Sequence, residues 1–122
     1  MAGPEKLFEQ RIKKYLDGIG AWYVKTYSNG VQRAGVPDLL ICSEGRFVGM
    51  EVKTVGGKFN NALQPWNIRK INEAGGIAGV VIPTEGKERF GRYIAKHYPD
   101  YIDTPIYDFD ELKHIIETIE SV

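Results

Sequence analysis

Three ionisable residues stand where charges are normally excluded. Asp38 follows Gly35-Val36-Pro37 and leads into the apolar Leu39-Leu40-Ile41. Glu51 and Lys53 lie in the strand-like run Phe47-Val48-Gly49-Met50-Glu51-Val52-Lys53-Thr54. An unpaired charge in such a run costs several kcal/mol, so a group of two acids and one base calls for a reason. Two facing carboxylates repel unless a positive charge lies between them. Lys53 offers one such charge. A Mg²⁺ ion offers two, and it commonly binds through one or two carboxylates plus water and phosphate oxygens. The Val52 carbonyl is a further candidate ligand. This set suits polarisation of a phosphodiester and activation of a water, with Lys53 orienting the water or stabilising charge on the phosphate. The plain alternative is a cross-strand salt bridge among the three.

The pair can act together only if one hairpin positions it. Runs at Asp38–Cys42 and Phe47–Thr54 flank Ser43-Glu44-Gly45. With Glu44-Gly45 as a two-residue turn, Ser43 faces Arg46 and Asp38 falls directly opposite Glu51. Lys53, two residues on, shares their face. A three-residue loop without a bulge would put the two acids on opposite faces.

Around the hairpin, helical spacing of Phe8, Ile12, Tyr15, Leu16 and Ile19 predicts a helix over about 4–18. A strand is expected over 21–27, then a Ser28-Asn29-Gly30 turn and a polar loop over 31–35. After a flexible connector at 55–60, a helix is expected over about 62–74, with Pro65 in its first turn. A short, almost wholly apolar strand follows at 77–82, as befits one buried on both faces. Helices over about 87–96 and 109–121 complete the chain. Asp108 and Glu111 hold capping-box positions before the last of these. The order predicts an α/β sandwich around a mixed sheet, with a right-handed parallel crossover from the hairpin's second strand to strand 77–82.

The 122 residues suffice for one domain, spanning 1–122, and 43% apolar content allows a core. No run of roughly 20 apolar residues is present, so no membrane partner is expected. Cys42 is the only cysteine, which excludes an intrachain disulfide and a Cys-based metal site and fits a reducing cytoplasm. Net charge is zero but uneven: residues 1–70 hold 11 Lys/Arg against 6 Asp/Glu, and residues 71–122 hold 5 against 10. Such asymmetry can give a neutral protein a basic face for a polyanion. Lys25, Arg33, Lys58, Arg69 and Lys70 are the candidate DNA phosphate contacts. Tyr27, Phe59 and Trp66 flank the carboxylates and are candidates to stack on unpaired bases, with core packing as the competing role for Trp66. His97 and His114 are too isolated to form a metal pair.

Pro37-Asp38, twelve intervening residues and then Glu51-Val52-Lys53 resembles the motif of the PD-(D/E)XK nuclease superfamily. With Gly35-Val36-Pro37-Asp38-Leu39, Glu51-Val52-Lys53-Thr54 and the downstream Gln64, the chain is similar to the VRR-NUC (virus-type replication-repair nuclease) domain over about residues 9–82. The resemblance implies a restriction endonuclease-like three-layer sandwich with an αβββαβ core. It also implies Mg²⁺- or Mn²⁺-dependent cleavage of DNA. Asp38 and Glu51 would be metal ligands and Lys53 the catalytic lysine. Glu9 would be the first-helix acid and Gln64 the glutamine after the lysine strand. Glu9 lies beside Leu16 at the edge of the apolar stripe, where an ordinary boundary glutamate is the alternative. For Gln64 the alternatives are a buried structural role or a helix cap before Pro65.

A lone domain of this kind resembles homodimeric four-way (Holliday) junction resolvases, so branched DNA and a second copy are the expected partners. The C-terminal segment, with Tyr98, Tyr101, Ile102, Tyr107, Ile115, Ile116 and Ile119, is the candidate dimer surface; the alternative there is an ordinary packed helix. Rival functions are a flap nuclease or nickase working with partner proteins, and a non-catalytic DNA-junction-binding module.

Overall fold

A computed structural model describes residues 3–27 and 33–119. Its elements run α1 (Pro4–Gly18), β1 (Trp22–Lys25), β2 (Leu39–Ser43), β3 (Arg46–Val52), α2 (Leu63–Glu73), β4 (Ile77–Val81), α3 (Lys87–His97), β5 (Ile106–Tyr107) and α4 (Phe109–Ile119). The five strands form one mixed sheet in the order β1-β2-β3-β4-β5. β1–β2 and β2–β3 are antiparallel, and β3–β4 and β4–β5 are parallel.

Alternation along β3 builds the layers. Val48, Met50 and Val52 pack with Leu39 and Ile41 against Phe8, Ile12 and Leu16 of α1 and Leu112 and Ile116 of α4. The opposite face carries Ala78, Val80 and Ile82, which pack with Ile68 of α2 and Phe90 and Ile94 of α3. Two helices therefore cover each face, and the αβββαβ order expected from the sequence is present. β5 was not expected: at two residues it is too short for any periodicity to show. The expected turn at 28–30, most of the loop at 31–35 and the end of the last helix lie outside the described residues.

The hairpin turn has the expected length. Ser43 pairs with Arg46 and Leu39 with Met50. Glu44 and Gly45 have φ of 50° and 77°, the two positive values of a type I′ turn. Glutamate is a poor residue for that conformation. Glu44→Asn is therefore expected to raise stability by about 0.5–1 kcal/mol, read as a higher urea midpoint at unchanged slope.

The loop before Asp38 is pinned to the start of α2. Asn67 Nδ2 donates to the carbonyls of Ala34 (3.1 Å) and Leu63 (2.8 Å). Gly35 has φ of +80°, and a Cβ there would meet the Leu63 carbonyl carbon and oxygen at 2.6 Å. Both the backbone angle and the contact require glycine. Gly35→Ala is expected to cost about 2–3 kcal/mol, measured by urea melts, because neither backbone can yield without moving the other.

In the C-terminal segment α4 packs on the core, while Tyr98, Tyr101, Tyr107 and Ile115 are only half-buried. Ile116 is fully buried, and Tyr98 and Tyr107 pack against the two apolar clusters. Ile102 is exposed, and the side chain of Ile119 lies outside the described residues. This is the packed-helix arrangement. The Asp108–Glu111 capping box forms, with reciprocal backbone bonds of 3.0 and 2.9 Å.

Candidate active site

Asp38 sits one residue before β2 and is held from three sides. Its backbone carbonyl accepts from the Thr26 amide at 2.8 Å, which carries the β1–β2 pairing one step beyond the strands. Its Oδ2 accepts from the Val52 amide at 2.9 Å. Its Oδ1 lies 3.5 Å from Lys25 Nζ. The hairpin register places Asp38 opposite Glu51, as the turn geometry required. It stands outside the ladder, however, and its side chain takes up the Val52 amide.

Glu51 is 2% exposed, yet its strand also packs the core. Gln64 Nε2 donates to Glu51 Oε2 at 3.0 Å. Burial, reinforced by a hydrogen bond with Asp38 and by the charge of Asp38, pushes the Glu51 carboxyl up to about 9. Glu51 therefore keeps its proton at neutral pH beside the half-exposed Asp38. Lys53, also buried, donates to Gln64 Oε1 at 3.4 Å, and that oxygen accepts from the Asn60 amide at 2.8 Å as well. Gln64 is the second residue of α2, and Ala62 occupies the cap position. Its amide bridges the acid and the base of one strand, so its role as a helix cap falls away.

Glu9 reaches the same end of the sheet from α1. Its Oε1 is buried, and a cation is its partner. Lys25 Nζ lies 2.8 Å from that oxygen as an ion pair. Burial alone would depress the Lys25 ammonium, but the hydrogen bonding and charge of Glu9 and the charge of Asp38 outweigh it and raise its pKa. Lys25, expected as a phosphate contact, instead stands between Glu9 and Asp38. Among the described residues, no three His, Cys, Asp or Glu side chains are grouped so as to hold a metal ion. Glu9 is accordingly not joined to Asp38 and Glu51 in one ligand set.

Glu5 was not singled out from the sequence. Burial and the negative charge of Asp38 raise its carboxyl, and the charges of Lys53, Lys25 and Glu9 also act on it. The available signal was its spacing of four from Glu9, which puts both acids on one side of α1.

A cleft of about 190 Å³ opens over these groups, lined by Thr26, Arg33, Gly35, Asp38, Glu51 and Gln64 among others. Of the candidate DNA contacts, Arg33 lines this cleft and lies over the Trp66 ring at 5.4 Å. Lys70 also lies over Trp66, at 5.6 Å, and pairs with Glu73. Lys58 is exposed. Arg69 is engaged elsewhere: it bonds Asp103 at 2.8 Å and lies over Tyr101. Phe59 is buried against Phe90 and Tyr98 and is a core residue, not a stacking surface. Tyr27 is 65% exposed, and Trp66 is half-buried.

No family model matches the chain, and no curated protein does. Among solved structures, a VRR_NUC domain is similar, with a TM-score of 0.54 and 20% sequence identity. The match covers 80% of this chain and 99% of that one. The chain has the fold of a VRR_NUC domain.

Proposed function

We propose that the protein is a metal-dependent DNA endonuclease that hydrolyses phosphodiester bonds in branched DNA, acting as a homodimer on four-way junctions. The observation that carries this reading is the convergence of Asp38, Glu51, Gln64 and Lys53 at the end of β3. A buried acid kept protonated beside a second carboxylate would gain from a cation placed between them. Two carboxylates are enough for Mg²⁺ or Mn²⁺, which retain waters and draw further oxygens from the substrate. A bound divalent cation would polarise the phosphodiester and acidify a water.

The chain's own residues do the rest. Asp38 and Glu51 would hold the cation, with the Val52 carbonyl beside them. Gln64 donates to Glu51 and accepts from the Lys53 ammonium, which ties the two together. From there Lys53 can stabilise charge building on the phosphate. Arg33 at the cleft mouth and Lys58 would contact neighbouring phosphates.

Incubation of the protein with four-way junctions, flaps and linear duplex in Mg²⁺ tests the reading, alongside a mass measurement in solution. Cutting of junctions by a dimer is expected. Preferred cutting of flaps would move the assignment to a flap nuclease. Junction binding without cutting in Mg²⁺ or Mn²⁺ would leave a binding module.

A further inference from the structure

We infer that Lys25 is the internal counter-ion of the site's acidic wall and holds the place that a divalent cation takes at Asp38. The inference rests on the cation-binding reading above. Lys25 Nζ lies 2.8 Å from Glu9 Oε1 and 3.5 Å from Asp38 Oδ1, and the Lys25 side chain is 24% exposed. Its backbone is fixed opposite Leu39 in the sheet, so the ammonium reaches these oxygens from a rigid strand.

Asp38 gives Oδ2 to the Val52 amide. The less engaged of its two oxygens, Oδ1, is the one that faces Lys25. Lys25 and a divalent cation therefore compete for one atom, and the cation brings twice the charge. Lys25 has a second and nearer partner in Glu9, whose buried oxygen it already neutralises at 2.8 Å. On cation binding, Lys25 releases Asp38 and keeps Glu9. This assigns the two lysines different work. Lys53 is tied to Gln64, whereas Lys25 neutralises Glu9 and Asp38. A lysine already shared between two carboxylates is also poorly placed to attract DNA phosphate.

Mn²⁺ titration followed by the electron paramagnetic resonance of the free ion, on wild type and Lys25→Met, tests this. Loss of a unit charge within about 4 Å of the ligand oxygen is expected to tighten Mn²⁺ binding about tenfold. With chelator present, the variant is expected to melt at a lower temperature, because Glu9 loses its partner. A lower melting temperature with unchanged or weaker Mn²⁺ binding would mean a purely structural lysine and would overturn the inference. Wild type without Mn²⁺ binding would remove the cation reading itself, and this inference with it. Should Lys25→Met fail to fold, Lys25→Gln is titrated in its place and read by the same two outcomes.

Discussion

Asp38→Ala is expected to lower DNA cleavage by roughly 10³-fold or more while leaving DNA binding equal or tighter. Asp38 joins three parts of the site: the β1 backbone through its carbonyl, the β3 backbone through Oδ2, and Lys25 through Oδ1. Alanine keeps the first of these and removes the other two. The fold should survive, because the β2–β3 ladder runs from Leu39 onward without the side chain. Binding should not suffer, because a negative charge has been removed from a surface that faces phosphate. Lys53→Met should also lose roughly 10²-fold or more if its ammonium stabilises charge building on the phosphate, the role proposed for it. Gln64→Ala should lose less, about 10–100-fold, because it acts through Glu51 and Lys53. Cleavage rates and gel-shift affinities on one junction separate these outcomes. If Asp38→Ala and Lys53→Met both cleave at the wild-type rate, the site is elsewhere.

Glu51→Gln is expected to stabilise the protein in chelator and to flatten its pH dependence. Glu51 titrates near 9 in the folded chain against an ordinary value of 4.5. Between those pH values the folded chain holds one more proton than the unfolded chain. Stability from this group is therefore complete below about pH 4.5, falls as pH rises, and is lost by about pH 9. The loss amounts to about 3 kcal/mol by pH 7 and roughly twice that by pH 9. Glutamine never ionises. Its carbonyl can still accept from Gln64, and its amide can donate to Asp38 as the protonated Glu51 carboxyl does. Urea melts in chelator at pH 5, 7 and 8.5 should diverge for the two proteins as pH rises. Parallel profiles would show that Glu51 titrates normally. Excess Mg²⁺ should shrink the wild-type slope, because a cation favours the ionised carboxylate.

Much of the site was legible because a two-residue turn is a strong local device. Glu44-Gly45 sets the hairpin register, and register alone puts Asp38 across from Glu51 with Lys53 on the same face. Gln64 was legible as a polar residue on an apolar helical stripe. Its bridging of Glu51 and Lys53 was not, because that depends on how α2 seats on the sheet, through Gly35 and Asn67.

Local sequence was enough for the hairpin, the αβββαβ order and the carboxylate pair, though not for β5, because each of the three depends on contacts between near neighbours in the chain. Only the tertiary structure decided the partners of Lys25 and Glu9. One lies on the first strand and the other on the first helix, and sequence distance says nothing about which ammonium reaches which carboxylate. It also decided the fate of Phe59 and Arg69. Phe59 turns inward to Phe90, and Arg69 turns away to Asp103. An aromatic or a cation near a site in sequence serves the site only if packing leaves it facing there. The same holds for Glu51: its position was written in the chain, but the burial that raises its pKa is a property of the assembled layers.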